Sequence, residues 1–363
     1  MKNVLIKGSG IIPTPNGYIN GIGRSNVELI KSLIDLNDQD IKFSVYCTTK
    51  RSLSFDCYSW PIEYHAYPLP HKLSSKLYLE SLYRRICLKP DLFHLTENFD
   101  QVSKKENFVV TIHDMWQYGE DGPTRMFDKV ARLSKAIVTC SEFTKNDIIE
   151  NMHISPDKVT VIPWGISHDI FHPKSVKEVE ECRKKYCIKT SKYFFSCSCS
   201  APRKNAKFII AAFREFARDK GDVSLVMAWG NPPMEILKEY KEEIASGKLR
   251  LLQFVPDEDL ATLYTGALAS FYVSSFEGFG FPLLESMACG TPVVTCSNSS
   301  LPEIFGGGYA RYVVEKQIDG IVCNMGYFYE NSVNKKELID YVKPFSWHNT
   351  ALQYINFYKS VLF

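Results

Sequence analysis

Two carboxylates, Glu277 and Glu285, stand with seven residues between them in the stretch EGFGFPLLESMACGTPVV, which also carries Gly278, Gly280 and Pro282. Glycines let a backbone come close to a ligand, and proline suits the first positions of a helix, where its missing N–H costs nothing. A helix start offers unbonded N–H groups and the positive end of a dipole, which together attract an anion. A carboxylate in that first turn, as the spacing predicts for Glu285, repels phosphate. It can instead accept hydrogen bonds from vicinal hydroxyls such as those of ribose, and Glu277 on the loop can do the same for a second polyol. An anion flanked by two polyol acceptors points to a nucleotide sugar. The plainer alternative is that the glycines only shape a strand-to-helix turn and Glu285 only complements the dipole.

The elements that would position these groups follow from periodicity. Ala269 to Ser274 is a short apolar strand, and a two-turn helix is predicted from Pro282, stopped by Gly290 and Pro292. Upstream, strands are predicted at Tyr193 to Cys197, Ser224 to Ala228 and Leu249 to Phe254, with helices at Ala206 to Ala217 and Asp257 to Gly266. Arg203 and Lys204 fall in the first of these strand-to-helix loops, where two adjacent cations can hold a diphosphate or can simply be solvated. The N-terminal half has the same alternation: strand Lys2 to Lys7, a glycine-rich segment, helix Val27 to Leu36, strand Ile41 to Cys47. This βαβ order implies an α/β fold with parallel, doubly wound sheets. Gly8-Ser9-Gly10 is followed by Pro13 and Gly21-Ile22-Gly23 by Asn26, so neither completes the dinucleotide fingerprint G-x-G-x-x-G. Further strands, Asp91 to His94, Phe108 to Ile112 and Ala136 to Cys140, lead to His113-Asp114 and to Ser141, which reads as a helix cap. Val159 to Pro173 starts as a strand and runs into a Pro/Gly/aromatic stretch without either periodicity, which reads as a linker.

With 363 residues, 45% of them hydrophobic, the chain is long enough for two cores. A formal net charge of +2 gives no global field to draw nucleic acid. Eleven cysteines, an odd number, follow a start too short in apolar residues for a signal peptide, so reduced thiols and an intracellular setting are expected. Cys197-Ser198-Cys199 and the Cys182/Cys187 pair lack zinc-site spacing, and no metal is expected. No apolar run approaches the ~20 residues that span a bilayer. From Leu69 to Lys89 basic residues alternate with aromatics and leucines, which invites a membrane-surface reading. Leu79, Leu82, Tyr83 and Ile86 form one helical stripe with Leu73 and Leu77 off it, and a single stripe on one helix is more often core.

Glu277 to Val294 resembles the signature of retaining glycosyltransferases of family 4, in the two-lobed GT-B class. The resemblance extends over nearly the whole chain. It implies an N-terminal acceptor-binding Rossmann-like lobe at residues 1–165, a hinge at 166–173, a nucleotide-sugar lobe at 174–344 and a last helix at 345–363 that packs on the first lobe across a cleft. Ala201-Pro202-Arg203-Lys204-Asn205 matches one form of the family's diphosphate loop, although the usual upstream Gly-Arg pair is replaced by Cys197-Ser198. By the same resemblance His113 lies near the transferred sugar, and Gly21-Ile22-Gly23-Arg24 resembles the N-terminal glycine loop. The implied catalytic set is His113, Lys204, Arg203 and Glu277. Gly278, Phe279, Gly280, Glu285, Gly23 and Ser141 are the implied donor-binding residues. The likeness thins between Gly308 and Tyr341, where the loop around Met325 to Asn334 has no counterpart.

The implied activity is transfer of a hexose-type sugar from a nucleoside-diphosphate sugar to a hydroxyl of a glycan or lipid-linked acceptor, with retained configuration. It is expected in surface polysaccharide or glycoconjugate synthesis, in the cytoplasm or at the inner face of the membrane. No cofactor, metal or nucleic acid is expected beyond the nucleotide-sugar donor. The alternatives are a nucleotide-sugar epimerase or hydrolase, and an inactive nucleotide-sugar-binding paralogue.

Overall fold

The computed structural model describes residues 1–13, 19–47, 58, 60–67, 79–98, 100–197, 201–306 and 308–363. Leu73, Leu77, Ser198 and Cys199 lie outside the described residues. The chain divides into two compact units, Met1–Gly165 with Phe345–Phe363, and Ile166–Pro344.

The first unit is built on seven parallel strands among the described residues: β1 (Lys2–Lys7), β2 (Ile41–Cys47), β3 (Glu63–Ala66), β4 (Leu92–Leu95), β5 (Phe108–Thr111), β6 (Ile137–Thr139) and β7 (Val159–Val161). Their spatial order is β3-β2-β1-β4-β5-β6-β7, so the winding reverses between β1 and β4. Strands buried on both faces read as continuous apolar runs. Val4, Leu5, Ile6, Phe108, Val109 and Val110 are all inaccessible to solvent. The first helix spans Gly21–Leu36, six residues earlier than the apolar spacing predicts. Asn20 causes the early start: its side chain caps the helix by accepting a hydrogen bond from Gly23 N at 2.8 Å. Gly21 to Arg24 is therefore a helical turn and not the loop expected.

The final helix, Trp347–Leu362, begins at Ser346, whose side chain accepts from Asn349 N. It belongs to the first unit and is fixed there by buried hydrogen bonds. His94 Nδ1 meets Tyr358 Oη at 2.7 Å, and His94 Nε2 meets Thr111 Oγ1 at 2.8 Å. Thr350 Oγ1 donates to Pro163 O at 2.8 Å. A Cβ on Gly165 would lie 2.1 Å from Trp347 N, so only glycine allows the chain to pass here.

The Leu79 to Ile86 stripe is split. The helix Leu79–Tyr83 continues as a π-helical turn, Arg84–Leu88, which breaks the 3.6-residue spacing. Leu79 and Tyr83 pack on the core, whereas Leu82 and Ile86 are exposed. The buried face instead carries Arg84, which bonds Glu106 Oε1 at 2.8 Å and Gln101 O at 2.8 Å and stacks 4.3 Å from the Phe93 ring centroid. Among the described residues no helix is long and apolar enough to cross a membrane.

The second unit carries six parallel strands among the described residues: β8 (Lys192–Ser196), β9 (Val223–Ala228), β10 (Leu249–Leu252), β11 (Ser270–Tyr272), β12 (Val293–Cys296) and β13 (Ala310–Val313). The order is β10-β9-β8-β11-β12-β13, which reverses between β8 and β11. Its core joins Phe194, Leu225, Phe271 and Val294 from the sheet to Ile209 and Phe213 of the helix Ala206–Phe216. The loop expected around Met325 to Asn334 is largely helix, since Ile318–Glu330 is continuous and buries Met325 and Phe328 in this core. Those two residues lie three apart, the spacing of one helical face.

Burial holds His94 neutral, pulling its pKa from 6.5 to about 3, with His113 nearby adding to the effect. The unfolded chain therefore binds a proton that the folded one refuses. This stability is complete above about pH 6.5 and is lost as pH falls toward 3, with a slope of up to about 1.4 kcal/mol per pH unit. Thermal midpoints of the native protein should fall across this window, and His94→Gln should flatten the dependence. An unchanged slope in the variant would assign the acid sensitivity elsewhere.

Candidate active site

In open parallel sheets ligands bind beyond the carboxyl ends of the strands, where the winding reverses. In the second unit that point lies between β8 and β11, and the loops leaving these two strands carry the residues singled out in the sequence. The loop after β8 tightens into a short 3-10 turn, Pro202–Lys204, and ends at Asn205, which adopts a left-handed conformation with φ +54°. Asn205 Nδ2 then donates to Val273 O at 2.9 Å and to Ser275 Oγ at 2.8 Å. Ser275 N donates back to Arg203 O at 2.8 Å. These bonds clamp the two loops together, so that Arg203, Lys204 and Glu277 share one cluster.

Within it Glu277 Oε1 accepts from Arg203 Nη1 at 2.7 Å and also from Lys204 Nζ. Lys204 Nζ donates in addition to Tyr272 Oη. Lys204, Glu277 and Tyr272 are nearly buried, and Arg203 is partly so. Burial lowers the Lys204 pKa and Arg203 adds to this, while Glu277 opposes both. Burial, then Glu277, raises the Tyr272 pKa, so its phenol stays protonated. The Glu277 backbone is held as well, with Ser299 Oγ accepting from its N–H at 3.0 Å and Ser300 Oγ donating to its carbonyl at 2.9 Å.

The helix after this loop spans Phe281–Ala288 and is capped by Gly280 at φ +108°, a conformation that favours glycine. The start at Phe281 puts Pro282 at the second position and moves Glu285 out of the first turn, where it was expected, into the second. A first-turn dipole role for Glu285 is thereby corrected. The carboxylate is 3% exposed, and Tyr264 Oη donates to its Oε2 at 3.4 Å. The Cys197 thiol lies 2.9 Å from the same phenol oxygen. Phe279 is buried beside Phe281, their ring centroids 5.5 Å apart, so its side chain is part of the packing under the loop.

His113, Gly23 and Ser141 lie in the first unit. A Cβ on Gly23 would stand 2.2 Å from Gly10 O, so glycine is required for the close approach of helix and loop. Ser141 Oγ caps the helix Glu142–Met152 by accepting from Thr144 N at 3.2 Å and donates to Thr144 Oγ1 at 3.0 Å, which commits its hydroxyl locally. His113 follows β5. Its Nε2 bonds the Thr96 carbonyl at 2.8 Å, and because a carbonyl only accepts, this nitrogen carries the proton. Nδ1 is left as a buried acceptor without a partner among the described residues, and burial lowers the ring's pKa against the opposing pull of the Thr96 carbonyl, Asp114 and Glu97. A neutral ring with a bare acceptor suits a hydroxyl donor on a ligand.

Two groups of residues here escaped the sequence. Tyr272 sits in an apolar strand run and Tyr264 in the amphipathic segment Asp257–Gly266, patterns that signal only strand and helix. Lys7, the last residue of β1, pairs with Glu97 at 2.9 Å and Asp100 at 2.7 Å at the first unit's own reversal point. A charged residue closing an otherwise apolar strand was the available signal for it. Among the described residues no three His, Cys, Asp or Glu side chains come together as a metal site.

Residues 19–170 match the model for glycosyltransferase family 4, and residues 178–343 match that for group 1 glycosyl transferases. The chain belongs to this family of glycosyltransferases. It is 29% identical over 288 residues to an O-antigen chain mannosyltransferase B of Escherichia coli, covering 74% of each chain. It is 26% identical to an MMP alpha-(1->4)-mannosyltransferase of Mycolicibacterium hassiacum, covering 66% of this chain and 58% of the relative. Its fold matches that of Anabaena HepE solved with UDP and glucose, with a TM-score of 0.75 at 15% identity over 99% of this chain and 100% of the other. The fold is thus GT-B, and both of the relatives named here are mannosyltransferases by name.

If Glu285 holds ribose hydroxyls, Glu285→Gln should weaken nucleoside-diphosphate binding about tenfold or more, since hydrogen bonds to a charged acceptor are the stronger kind. Calorimetry on the folded variant reads this directly. Unchanged affinity would leave Glu285 with a structural role only.

Proposed function

We propose that this chain is a retaining hexosyltransferase that moves a mannosyl residue from a nucleoside-diphosphate sugar to a hydroxyl of a growing surface glycan. The observation that carries the reading is the pair of cations, Arg203 and Lys204, held on one carboxylate at the second unit's reversal point beside the start of the Phe281–Ala288 helix. The mannosyl assignment follows the two relatives named above, which are mannosyltransferases by name.

In the proposed reaction the bond between the sugar's anomeric carbon and the diphosphate oxygen breaks, and a bond to the acceptor oxygen forms on the same face. The acceptor's proton passes to the departing phosphate oxygen, and no enzyme nucleophile takes part. Charge accumulates on the diphosphate as it leaves, so stabilising that charge is the main task. A helix dipole contributes about 0.3 to 2 kcal/mol, whereas a preorganised donor in a dry site contributes roughly 3 to 4. Lys204 and Arg203 therefore do most of it, and no metal is needed for the purpose. Glu277 binds hydroxyls of the transferred sugar, Glu285 the ribose, and the bare Nδ1 of His113 accepts from a hydroxyl of the sugar or acceptor.

Lys204→Ala should lower turnover on the order of a hundredfold or more with the fold intact. The assay is product formation from nucleotide sugars with and without a glycan acceptor. Full activity in the variant would refute the role of Lys204, and an altered sugar nucleotide formed without acceptor would point to an epimerase or hydrolase.

A further inference from the structure

Glu277 carries two duties in the proposed reaction that pull in different directions. In the structure its Oε1 is the anionic partner of both Arg203 and Lys204. In the reaction it accepts from sugar hydroxyls, which draws it toward the donor. If Glu277 were the sole anchor of Lys204, that movement would release the ammonium at the moment the diphosphate needs it.

Tyr272 offers the second anchor. It is the last residue of β11, 4% exposed, and its backbone carbonyl accepts from Thr295 Oγ1 at 2.8 Å. A tyrosine in a packed strand has only two side-chain torsions to fix, so its hydroxyl is held by the sheet. That hydroxyl accepts from Lys204 Nζ, and the ammonium lies 4.5 Å from the ring centroid. The roles are chemically consistent. An ammonium only donates, and a phenol oxygen can accept that hydrogen bond while keeping its own proton. An ammonium has three donors; Glu277 and Tyr272 take two, and their placement fixes the direction of the third.

We propose that Tyr272 is a positioning residue for the transfer reaction: its hydroxyl holds the Lys204 ammonium aimed at the diphosphate while Glu277 turns to the sugar. This rests on the reading of Lys204 as the diphosphate's cation. Because the phenol is neutral, it adds no negative charge to compete with the diphosphate. It also supports the charged form of Lys204 against the burial that lowers its pKa.

The test is Tyr272→Phe, which keeps the ring and its volume, with the thermal midpoint confirming the fold. Turnover should fall about tenfold while KM for the nucleotide sugar changes by less than about threefold. The alkaline limb of the turnover profile should move to lower pH, because Lys204 loses a partner that favours its charge. In a Lys204→Ala background the same change should cost nothing further, since its effect runs through that ammonium. Wild-type turnover and pH profile in Tyr272→Phe, or losses that add in the double variant, would overturn the proposal while leaving Lys204's role standing. Full activity of Lys204→Ala alone would instead remove the reading beneath it.

Discussion

A single carboxylate, Glu277, keeps two cations in a site largely closed to water, and the chemistry of the second unit depends on it. An isolated ammonium buried to the extent of Lys204 would shed its proton, because the cost of desolvating a charge exceeds what neutral neighbours return. Glu277 opposes that loss. It does so without neutralising the site, since two cations share one carboxylate and a net positive charge remains. A buried cluster with unbalanced charge is unfavourable for stability and favourable for binding an anion. Removing one partner of such a cluster strands the others, and a ligand that supplies the missing charge completes it.

The cluster exists because the fold reverses its winding between β8 and β11. Loops that leave adjacent parallel strands on either side of that reversal diverge, one toward each face, and the space between them opens. Here the space is narrowed again by local chemistry. Asn205 in its left-handed conformation ties the loop after β8 to Val273 and Ser275, while Gly280 turns the chain that follows Glu277 into the helix Phe281–Ala288. Hydrogen bonds between the two loops therefore set the cation positions, and the cationic side chains need only short reach. Such a site is preorganised, with little reorganisation left to the moment of reaction.

Much of this was legible in the residues. Apolar runs gave most strands of both units to within a residue or two, because strands buried on both faces have no competing pattern, whereas β3 and β13, which carry exposed residues, were not foreseen. Arg203, Lys204 and Glu277 were expected in one pocket and are in contact. What escaped notice depended on capping and on exceptions to periodicity. Asn20 and Gly280 start their helices earlier than the apolar spacing suggests, which turns Gly21 to Arg24 into helix and carries Glu285 into the second turn. The π turn at Arg84 moves a charged residue inward and apolar ones outward, the reverse of what a 3.6-residue period implies. Tyr272 and Tyr264 were hidden for a different reason: a buried phenol has the burial of a hydrophobe, and only the positions of its neighbours reveal the work of its hydroxyl.

The central claim is that the second unit recognises a nucleotide sugar chiefly through its diphosphate, by way of Arg203 and Lys204. Calorimetric titration of GDP and UDP, set against guanosine and uridine, measures this most directly. The account predicts that whichever base is preferred, the diphosphate binds at least a hundredfold more tightly than its bare nucleoside. A nucleoside that binds as well as its diphosphate would contradict it.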